Sequence, residues 1–341
     1  EVQFQFVILP PWWKTMWFKI VFVVFVLLIV FGIYQWRIAS FKHRQRELEK
    51  TVSERTSEIS EKNEELLQQK EEILAQRNEI VIQKDKLELI HKDLTESIEY
   101  AKFIQYNMFP EPRMLSEAFN DHFLLFYPRD RVSGDFYWWA KIENQVIVAV
   151  ADCTGHGVPG ALMSMLGISF LREIVLKEKY MEPAVILNNL RQEVITALDQ
   201  KMAPGEQKDG LDIALVKIDL LNNQMIFSGA RNPVYLIREK ELFEYKADKA
   251  PISVYPKMKD FTQATVSLEK GDQIYIFTDG YADQFGGNNA IKFKRNRFKK
   301  LLLAHSSEKM PIQLEKLKES FYKWKGNHEQ IDDITVLGLK I

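Results

Sequence analysis

Between Phe41 and Ser97 the chain contains no glycine and no proline, and apolar residues recur at every seventh position. The repeating positions are Val52, Ile59, Leu66, Ile73, Ile80, Leu87 and Leu94. A seven-residue repeat in a segment rich in Glu, Lys and Gln favours a parallel coiled coil. Because one helix cannot bury such a stripe alone, we expect residues 37–99 to hold the chain as a homodimer.

The second core position of this heptad repeat is poorly occupied by apolar residues. Polar side chains, among them Asn63, Lys70 and Arg77, lie three or four residues after the main stripe. Polar residues at core positions lower the stability of a coiled coil and fix its register. We therefore expect a marginal helix pair that transmits a signal by shifting between packings. The alternative is a stable spacer that only holds the C-terminal part away from a membrane.

An apolar segment, residues 16–36, precedes the coiled coil and carries Trp17 and Trp36 near its ends. Its length is sufficient to span a hydrocarbon core of about 30 Å, and tryptophan is enriched at membrane interfaces. A buried core helix is the alternative. Only Lys14 precedes the segment, whereas a basic stretch follows it: Arg37, Lys42, Arg44, Arg46 and Lys50. The positive-inside rule therefore predicts a single-pass protein of the cell inner membrane with a cytoplasmic C-terminal part.

Four aspartates stand in short glycine-rich or acidic contexts: Asp135, Asp152, Asp279 and Asp332. Each follows a stretch that is typical of a buried strand or of its approach, so the carboxylates are expected to meet at strand ends. Hard oxygen ligands suit Mg²⁺ or Mn²⁺, and a neighbouring glycine lets the backbone approach an ion closely. A two-metal hydrolase is the first hypothesis. Asp-Gly and Asp-Asp pairs are also ordinary turn residues.

Charge and composition exclude several other classes of protein. The formal net charge of −1 gives no general attraction for nucleic acid, and a single cysteine excludes a disulfide framework within one chain. We interpret Cys153 as a small space-filling residue in preference to a thiol nucleophile. The basic residues from Lys292 to Lys300 are interpreted as the solvated face of an amphipathic helix, since Phe293 and Phe298 are interleaved with them. No nucleic-acid partner is expected.

The chain after residue 100 has the pattern of an α+β domain. Short apolar stretches predict strands at residues 122–127, 136–141, 145–151, 212–219, 224–229, 233–238, 264–268, 273–277 and 335–340. Helices that open on a proline are predicted at residues 159–176, 183–199 and 311–324. Consecutive short strands with two long helices between them favour antiparallel sheets.

The segment Val150 to Ala161 (VADCTGHGVPGA) resembles the signature of the SpoIIE-type branch of the metal-dependent PPM protein phosphatases. The resemblance continues in Tyr100 to Gln105, Val132 to Trp138, Phe277 to Gly280 and Asp332 to Thr335. It covers about residues 100–341 in the order of the family. It implies a β-sandwich flanked by helices and a serine/threonine phosphatase activity.

The resemblance also implies a site with two Mn²⁺ or Mg²⁺ ions. Matching positions give carboxylate ligands at Asp135, Asp152, Asp279 and Asp332, with Asp152 bridging. The backbone carbonyl of Cys153 is a further candidate ligand. Asp333 is the alternative to Asp332.

Three further features of the family remain open here. A phosphate-binding arginine is expected upstream of the first aspartate, and either Arg129 or Arg131 could be its counterpart. His156 could protonate the leaving group or could be a packed turn residue. Asp212 matches a SpoIIE-type motif and is expected to adjoin the site.

These features predict a membrane-tethered, signal-regulated phosphatase. The resemblance implies a phosphorylated protein substrate such as an anti-sigma-factor antagonist. Residues 6–13 resemble the end of the extracytoplasmic β-sandwich of propeller-type bacterial sensors, so residues 1–15 are expected to close such a domain. The first residue is not methionine, and we expect a longer protein. The alternatives are a sensor histidine kinase with His91 as phosphoacceptor, and a catalytically inactive phosphatase-like binding module.

Overall fold

The computed structural model describes residues 11–201 and 208–341. Most of the segment expected to close an extracytoplasmic domain, residues 1–10, lies outside the described residues. The chain divides into two units, residues 1–90 and residues 91–341.

The first unit consists mainly of one helix. After a short 3-10 turn, Trp12–Lys14, helix α1 runs from Met16 to Met108 and so continues into the second unit. Its seven stripe residues are 58 to 67% exposed. Ion pairs such as Lys50–Glu54 and Lys84–Glu88 are spaced one turn apart on its surface. Each exposed pair contributes only about 0.3–0.5 kcal/mol to the stability of the helix. The apolar stripe itself is not covered by other described residues of the chain.

Among the described residues, two helical segments are long and apolar enough to cross a membrane by length and composition. One is the N-terminal part of α1, in which no residue of the apolar window is buried. The other is Gly157–Lys177, half of whose apolar window is buried in the second unit. A half-buried apolar helix is typical of a folded core, so burial leaves only the first as a candidate membrane segment.

The second unit contains two five-stranded antiparallel sheets with helices outside them. In the first sheet the strands lie in the order β1 (Asp121–Tyr127), β12 (Ile334–Lys340), β9 (Gln273–Phe277), β6 (Val234–Arg238) and β7 (Glu241–Tyr245). In the second the order is β2 (Phe136–Ile142), β3 (Gln145–Cys153), β4 (Leu211–Asp219), β5 (Gln224–Ala230) and β8 (Ala264–Ser267). A small third sheet pairs β10 (Phe285–Gly286) with β11 (Ile291–Lys292).

The remaining helices of this unit are α2 (Pro112–Ala118), α3 (Gly157–Arg172), α4 (Pro183–Ala197), α5 (Gly280–Asp283), α6 (Arg295–His305) and α7 (Met310–Lys325). A short π-helical turn, Glu173–Lys177, extends α3.

Both faces of the central strands are buried, which explains why β3, β4, β9 and β12 have nearly continuous apolar sequences. On β9, Ile274 and Ile276 pack into the core between the sheets, whereas Tyr275 and Phe277 pack outward with α6 and α7 residues such as Phe298. Helices α3 and α4 cover the other sheet with Ile168, Leu171, Ile186, Leu187 and Leu190. The arrangement is a β-sandwich between two helical layers, so the predicted antiparallel α+β fold is confirmed.

Strand β7 was not predicted. It forms a hairpin with β6 through Glu239 and Lys240, whose φ angles of 47° and 67° are both in the left-handed region. Turns of this kind normally carry Asn or Gly. A Glu-Lys pair gives no such signal in the sequence.

Candidate active site

Antiparallel pairing brings the predicted aspartates together at the ends of neighbouring strands. Asp135 directly precedes β2, and Phe136 pairs with Ala151, so Asp135 lies beside the end of β3 that carries Asp152. Asp152 in turn has Asp212 as its register partner on β4. In the other sheet, Phe277 at the end of β9 pairs with Val336 near the start of β12. That pairing places Asp279, which follows β9, beside the Asp332 segment.

The electrostatics show that the four carboxylates converge. Burial, together with the charges of Asp135, Asp279, Asp332 and Asp212, raises the pKa of Asp152 to about 10. Burial is also the main cause of the raised pKa values of Asp135, Asp279 and Asp332. Like charges close together in a desolvated site disfavour one another unless protons or cations compensate them.

Asp135 is held by two threonines that sequence analysis did not identify. Its Oδ2 accepts hydrogen bonds from Thr278 Oγ1 and Thr335 Oγ1, each at 2.7 Å. The backbone N–H of Thr335 donates to Thr278 Oγ1 at 3.0 Å, which ties the two threonines together. These bonds leave Oδ1 as the carboxylate oxygen without a hydroxyl donor. Both threonines lie inside the matching segments Phe277 to Gly280 and Asp332 to Thr335, but sequence analysis assigned neither of them a role.

Asp333 has a different environment from Asp332. It is 3% exposed, and its Oδ1 accepts from the backbone N–H of Arg129 at 2.6 Å. Its Oδ2 accepts from the N–H of Gly134 at 2.6 Å and of Asp135 at 3.4 Å. Both oxygens of Asp333 are therefore engaged in bracing the loop before β2, whereas Asp332 lines the cavity beside Asp152.

The glycines of the motifs allow two loops to approach closely. A Cβ added to Gly134 would lie 2.6 Å from the carbonyl oxygen of Gly155 and 3.4 Å from that of Cys153. Gly155 itself has a φ of 87°, a conformation that favours glycine. The carbonyl of Cys153 thus lies next to the Asp135 loop. The Cys153 side chain is buried in the core, which agrees with its interpretation as a space-filling residue.

A buried glutamine fixes the same loop from the end of helix α1. Gln105 is fully buried, and its Nε2 donates to the carbonyl of Ser133 at 2.6 Å and to Ser164 Oγ at 2.8 Å. Its Oε1 accepts from the Ser133 backbone N–H at 3.2 Å. Ser133 lies two residues before Asp135, so the last turns of α1 directly support the loop that carries an acidic residue of the site.

The two arginines proposed for phosphate contact have different partners. Arg129 Nη1 donates to the carbonyl of Ile331 at 3.0 Å, and its charge lowers the pKa of Asp332 against the effect of burial. Arg131 is paired with Glu99 on helix α1. His156 is exposed, and its Nδ1 lies 3.1 Å from Asp130 Oδ2. Of the two arginines, Arg129 is the one placed near a carboxylate of the site.

A cavity of about 510 Å³ opens beside the carboxylates. Asp152, Asp212 and Asp332 line it, together with His156, Lys208 and Arg231. Sequence analysis identified neither of the last two residues. It also assigned no role to Arg295, whose charge lowers the pKa values of Asp212 and Asp279.

Among the described residues, no three acidic, histidine or cysteine side chains lie close enough together to hold a metal ion as they stand. The structure therefore shows converging carboxylates that are chemically suited to a hard cation, without a formed coordination sphere.

Comparison with known proteins agrees with this geometry. A sequence model of the family described as Stage II sporulation protein E (SpoIIE) matches residues 142–341. The chain belongs to the SpoIIE family. Family membership makes it a serine/threonine protein phosphatase of the PP2C class, a class that depends on metal ions. The match favours the phosphatase over the histidine kinase that His91 suggested.

Individual relatives extend the match beyond the family segment. Phosphoserine phosphatase RsbU of Bacillus subtilis is 24% identical over 254 residues, which is 74% of this chain and 72% of RsbU. The SiaA-PP2C domain of Pseudomonas aeruginosa is 32% identical with a TM-score of 0.66, covering 74% of this chain and 98% of that domain. The phosphatase domain of SpoIIE from Bacillus subtilis, with a fragment of its regulatory domain, shares the fold. Its TM-score is 0.52 at 19% identity, covering 65% of this chain and 63% of that one.

Proposed function

We propose that this SpoIIE-family chain is a membrane-tethered, signal-regulated phosphatase that hydrolyses phosphoserine and phosphothreonine with two Mn²⁺ or Mg²⁺ ions. The observation that carries the proposal is the convergence of Asp135, Asp152, Asp279 and Asp332 beside an open cavity. The convergence of four acidic groups, each with a raised pKa, distinguishes this edge of the sandwich from an ordinary loop cluster.

Divalent cations fit the chemistry of these residues. Bound cations would compensate the burial and the mutual repulsion that together raise the pKa of Asp152. The ligands in this proposal are Asp135, Asp152, Asp279, Asp332 and the carbonyl of Cys153. We prefer Asp332 to Asp333 because backbone donors already occupy both oxygens of Asp333. When bound, two such ions supply an activated water and neutralise phosphoryl oxygens.

The chain's own residues orient the site and the substrate. The two threonines fix Oδ2 of Asp135, so Oδ1 would be the oxygen that binds a cation. His156, oriented by Asp130, would donate a proton to the leaving serine oxygen. Arg129 would contact the substrate phosphate, since it lies near Asp332 and is not paired with a carboxylate of helix α1 as Arg131 is.

Regulation would enter through helix α1. The exposed apolar stripe would pair two chains as a parallel coiled coil, and residues 16–36 would anchor them in the inner membrane. Gln105 links the end of this helix to the backbone of Ser133. A change in helix packing would thereby reach the loop that holds Asp135.

The substrate would be a small phosphorylated regulatory protein, such as an anti-sigma-factor antagonist. The 24% identity with a phosphoserine phosphatase supports phosphoserine as the substrate group.

The test is phosphate release from a phosphoserine peptide by the full chain in detergent micelles. Activity should vanish with EDTA and return on addition of Mn²⁺ or Mg²⁺, because hard carboxylate sites select those ions. A matched sample given Ca²⁺ after EDTA controls for non-specific ionic effects. Release that continues in EDTA would refute the metal-dependent mechanism.

A further inference from the structure

Two basic residues line the cavity beside the carboxylates, and the reaction described above does not use them. Lys208 and Arg231 line it together with Asp152, Asp212 and Asp332. The chain as a whole has a net charge of −1 and therefore no general attraction for anions. Recognition of an anion in this cavity would therefore depend on these two individual side chains.

The backbone holds Arg231 in a defined position between β5 and β6. Its φ of 59° is in the left-handed region, which a non-glycine residue adopts only when its surroundings require it. Its backbone N–H donates to the carbonyl of Asp248 at 2.8 Å, and its Nε donates to the carbonyl of Lys249 at 3.3 Å. The base of the guanidinium is thus fixed on the segment that follows β7.

The outer nitrogens of Arg231 remain available. Nη1 lies 3.6 Å from Asp212 Oδ1, which is an ion pair longer than a hydrogen bond. Within residues 11–201 and 208–341, Nη2 makes no hydrogen bond, and the Arg231 side chain is 49% exposed. A fixed guanidinium with a free Nη2 is suited to donate a charge-assisted hydrogen bond to a carboxylate.

The position of Arg231 separates it from the carboxylates that would hold the reacting phosphate. Asp212 is the register partner of Asp152 on the neighbouring strand, and adjacent strands lie about 4.8 Å apart. Arg231 follows β5, which lies on the far side of β4 from β3, so its backbone lies beyond Asp152 by at least that spacing. An extended peptide advances about 3.3 Å per residue. The distance therefore corresponds to a residue one or two positions from the phosphoserine.

We propose that Arg231, with Lys208 at the rim, binds the carboxylate of an acidic residue flanking the phosphoserine and so selects acidic phosphoprotein substrates. The inference rests on the proposed phosphatase function. It makes Arg231 a specificity-determining residue that contacts the substrate away from the scissile bond.

The test compares two phosphoserine peptides on the full chain in detergent with Mn²⁺. One peptide carries Asp and Glu beside the phosphoserine, and the other carries Asn and Gln. We expect kcat/KM to favour the acidic peptide about tenfold, the effect of one charge-assisted hydrogen bond. Arg231→Asn should bring the ratio close to one, mainly through KM. Asn is chosen because it tolerates the left-handed conformation and removes only the charge and the long side chain.

Further variants sharpen the result. Arg231→Lys should restore part of the preference, and Arg231→Glu should reverse it toward a peptide with flanking lysines. Arg113→Gln is the matched control, since Arg113 is exposed on α2 and pairs only with Glu117. An unchanged peptide preference in Arg231→Asn would overturn the proposal.

A binding measurement separates this proposal from the proposed function. Anisotropy of the labelled acidic phosphopeptide is recorded in EDTA, where no turnover is expected. If no phosphate is released from either peptide with Mn²⁺, the phosphatase function fails. Weaker binding of the acidic peptide by Arg231→Asn than by Arg113→Gln would then still support recognition, and equal binding would refute it.

Discussion

Helix α1 leaves its apolar stripe exposed, whereas the catalytic sandwich buries its apolar residues. The stripe from Val52 to Leu94 is 58 to 67% exposed, whereas residues of β3 such as Ile147 and Val148 are completely buried. The ion pairs of the helix are local and exposed, whereas the site depends on bonds between residues about 200 positions apart, such as Thr335 to Asp135. The sandwich therefore contains its own stabilising interactions, whereas the described residues of the chain leave the apolar stripe of the helix exposed.

The largest expected effect is on catalysis by the sandwich. Asp152→Asn or Asp279→Asn should lower phosphate release by about three orders of magnitude, since each removes a charge needed to hold the cations. Thermal unfolding of both variants should stay cooperative. Asp85→Asn on the exposed face of helix α1 is the matched control and should keep full activity. Turnover close to the wild-type rate in both site variants would contradict the assignment of the site.

A pair of core and stripe variants tests the contrast in stability. Ile147→Ala should destabilise the sandwich by about 2–5 kcal/mol, because the cavity it leaves lies in a fully packed strand. Ile73→Ala, at a residue 62% exposed in the single chain, should leave unfolding of the catalytic unit nearly unchanged. For both variants, denaturant unfolding is monitored through the loss of phosphatase activity. An equal shift for the two variants would show that the helix is part of the same cooperative unit.

The next prediction concerns dimerisation of the chain through helix α1. A soluble fragment that begins at Phe41 should sediment as a dimer, and one that begins at Glu99 should be monomeric or more weakly associated. Replacing Leu66 and Ile73 by Asn should dissociate the longer fragment. Leu89→Asn, at an exposed apolar position off the stripe, is the control. A longer fragment that is monomeric with its stripe intact would refute the coiled coil.

The smallest expected effect concerns communication between the two regions. If polar layers keep two helix packings within a few kcal/mol of each other, replacing Asn63, Lys70 and Arg77 by Leu should lock one packing. Phosphatase activity at saturating Mn²⁺ should then be fixed several-fold high or low. Deletions of one to three residues near Gln76, which rotate the register, should vary it. Rates that stay constant across this series would show that the helix is only a spacer.

The comparison also shows where sequence analysis was sufficient. Helix α1 follows from a local pattern, because a seven-residue repeat without glycine or proline needs no tertiary information to form a helix. The nine predicted strands agree with the structure within one or two residues, because buried strands are short apolar runs with turn residues between them. The four aspartates were identified because they stand at the ends of those runs.

The roles of neighbouring residues could not be derived in the same way. Asp332 and Asp333 are adjacent and chemically identical, and only the fold shows that Asp333 accepts bonds from Arg129 and Gly134. Arg131 and Arg129 were equivalent candidates until the structure placed Glu99 beside Arg131. Arg231 gave no signal, since its orientation depends on a left-handed backbone between two strands.

The sequence by itself determined helix α1, the apolar segment, nine of the strands and the family resemblance, since each depends on a periodic or contiguous pattern. The tertiary structure decided which strands are neighbours and which polar atoms meet. Strand β1 pairs with β12 from the far end of the chain, and this pairing joins the Asp135 loop to the Asp333 segment. Backbone N–H groups occur at nearly every residue, so their choice of a carboxylate partner depends on three-dimensional proximity and not on residue type.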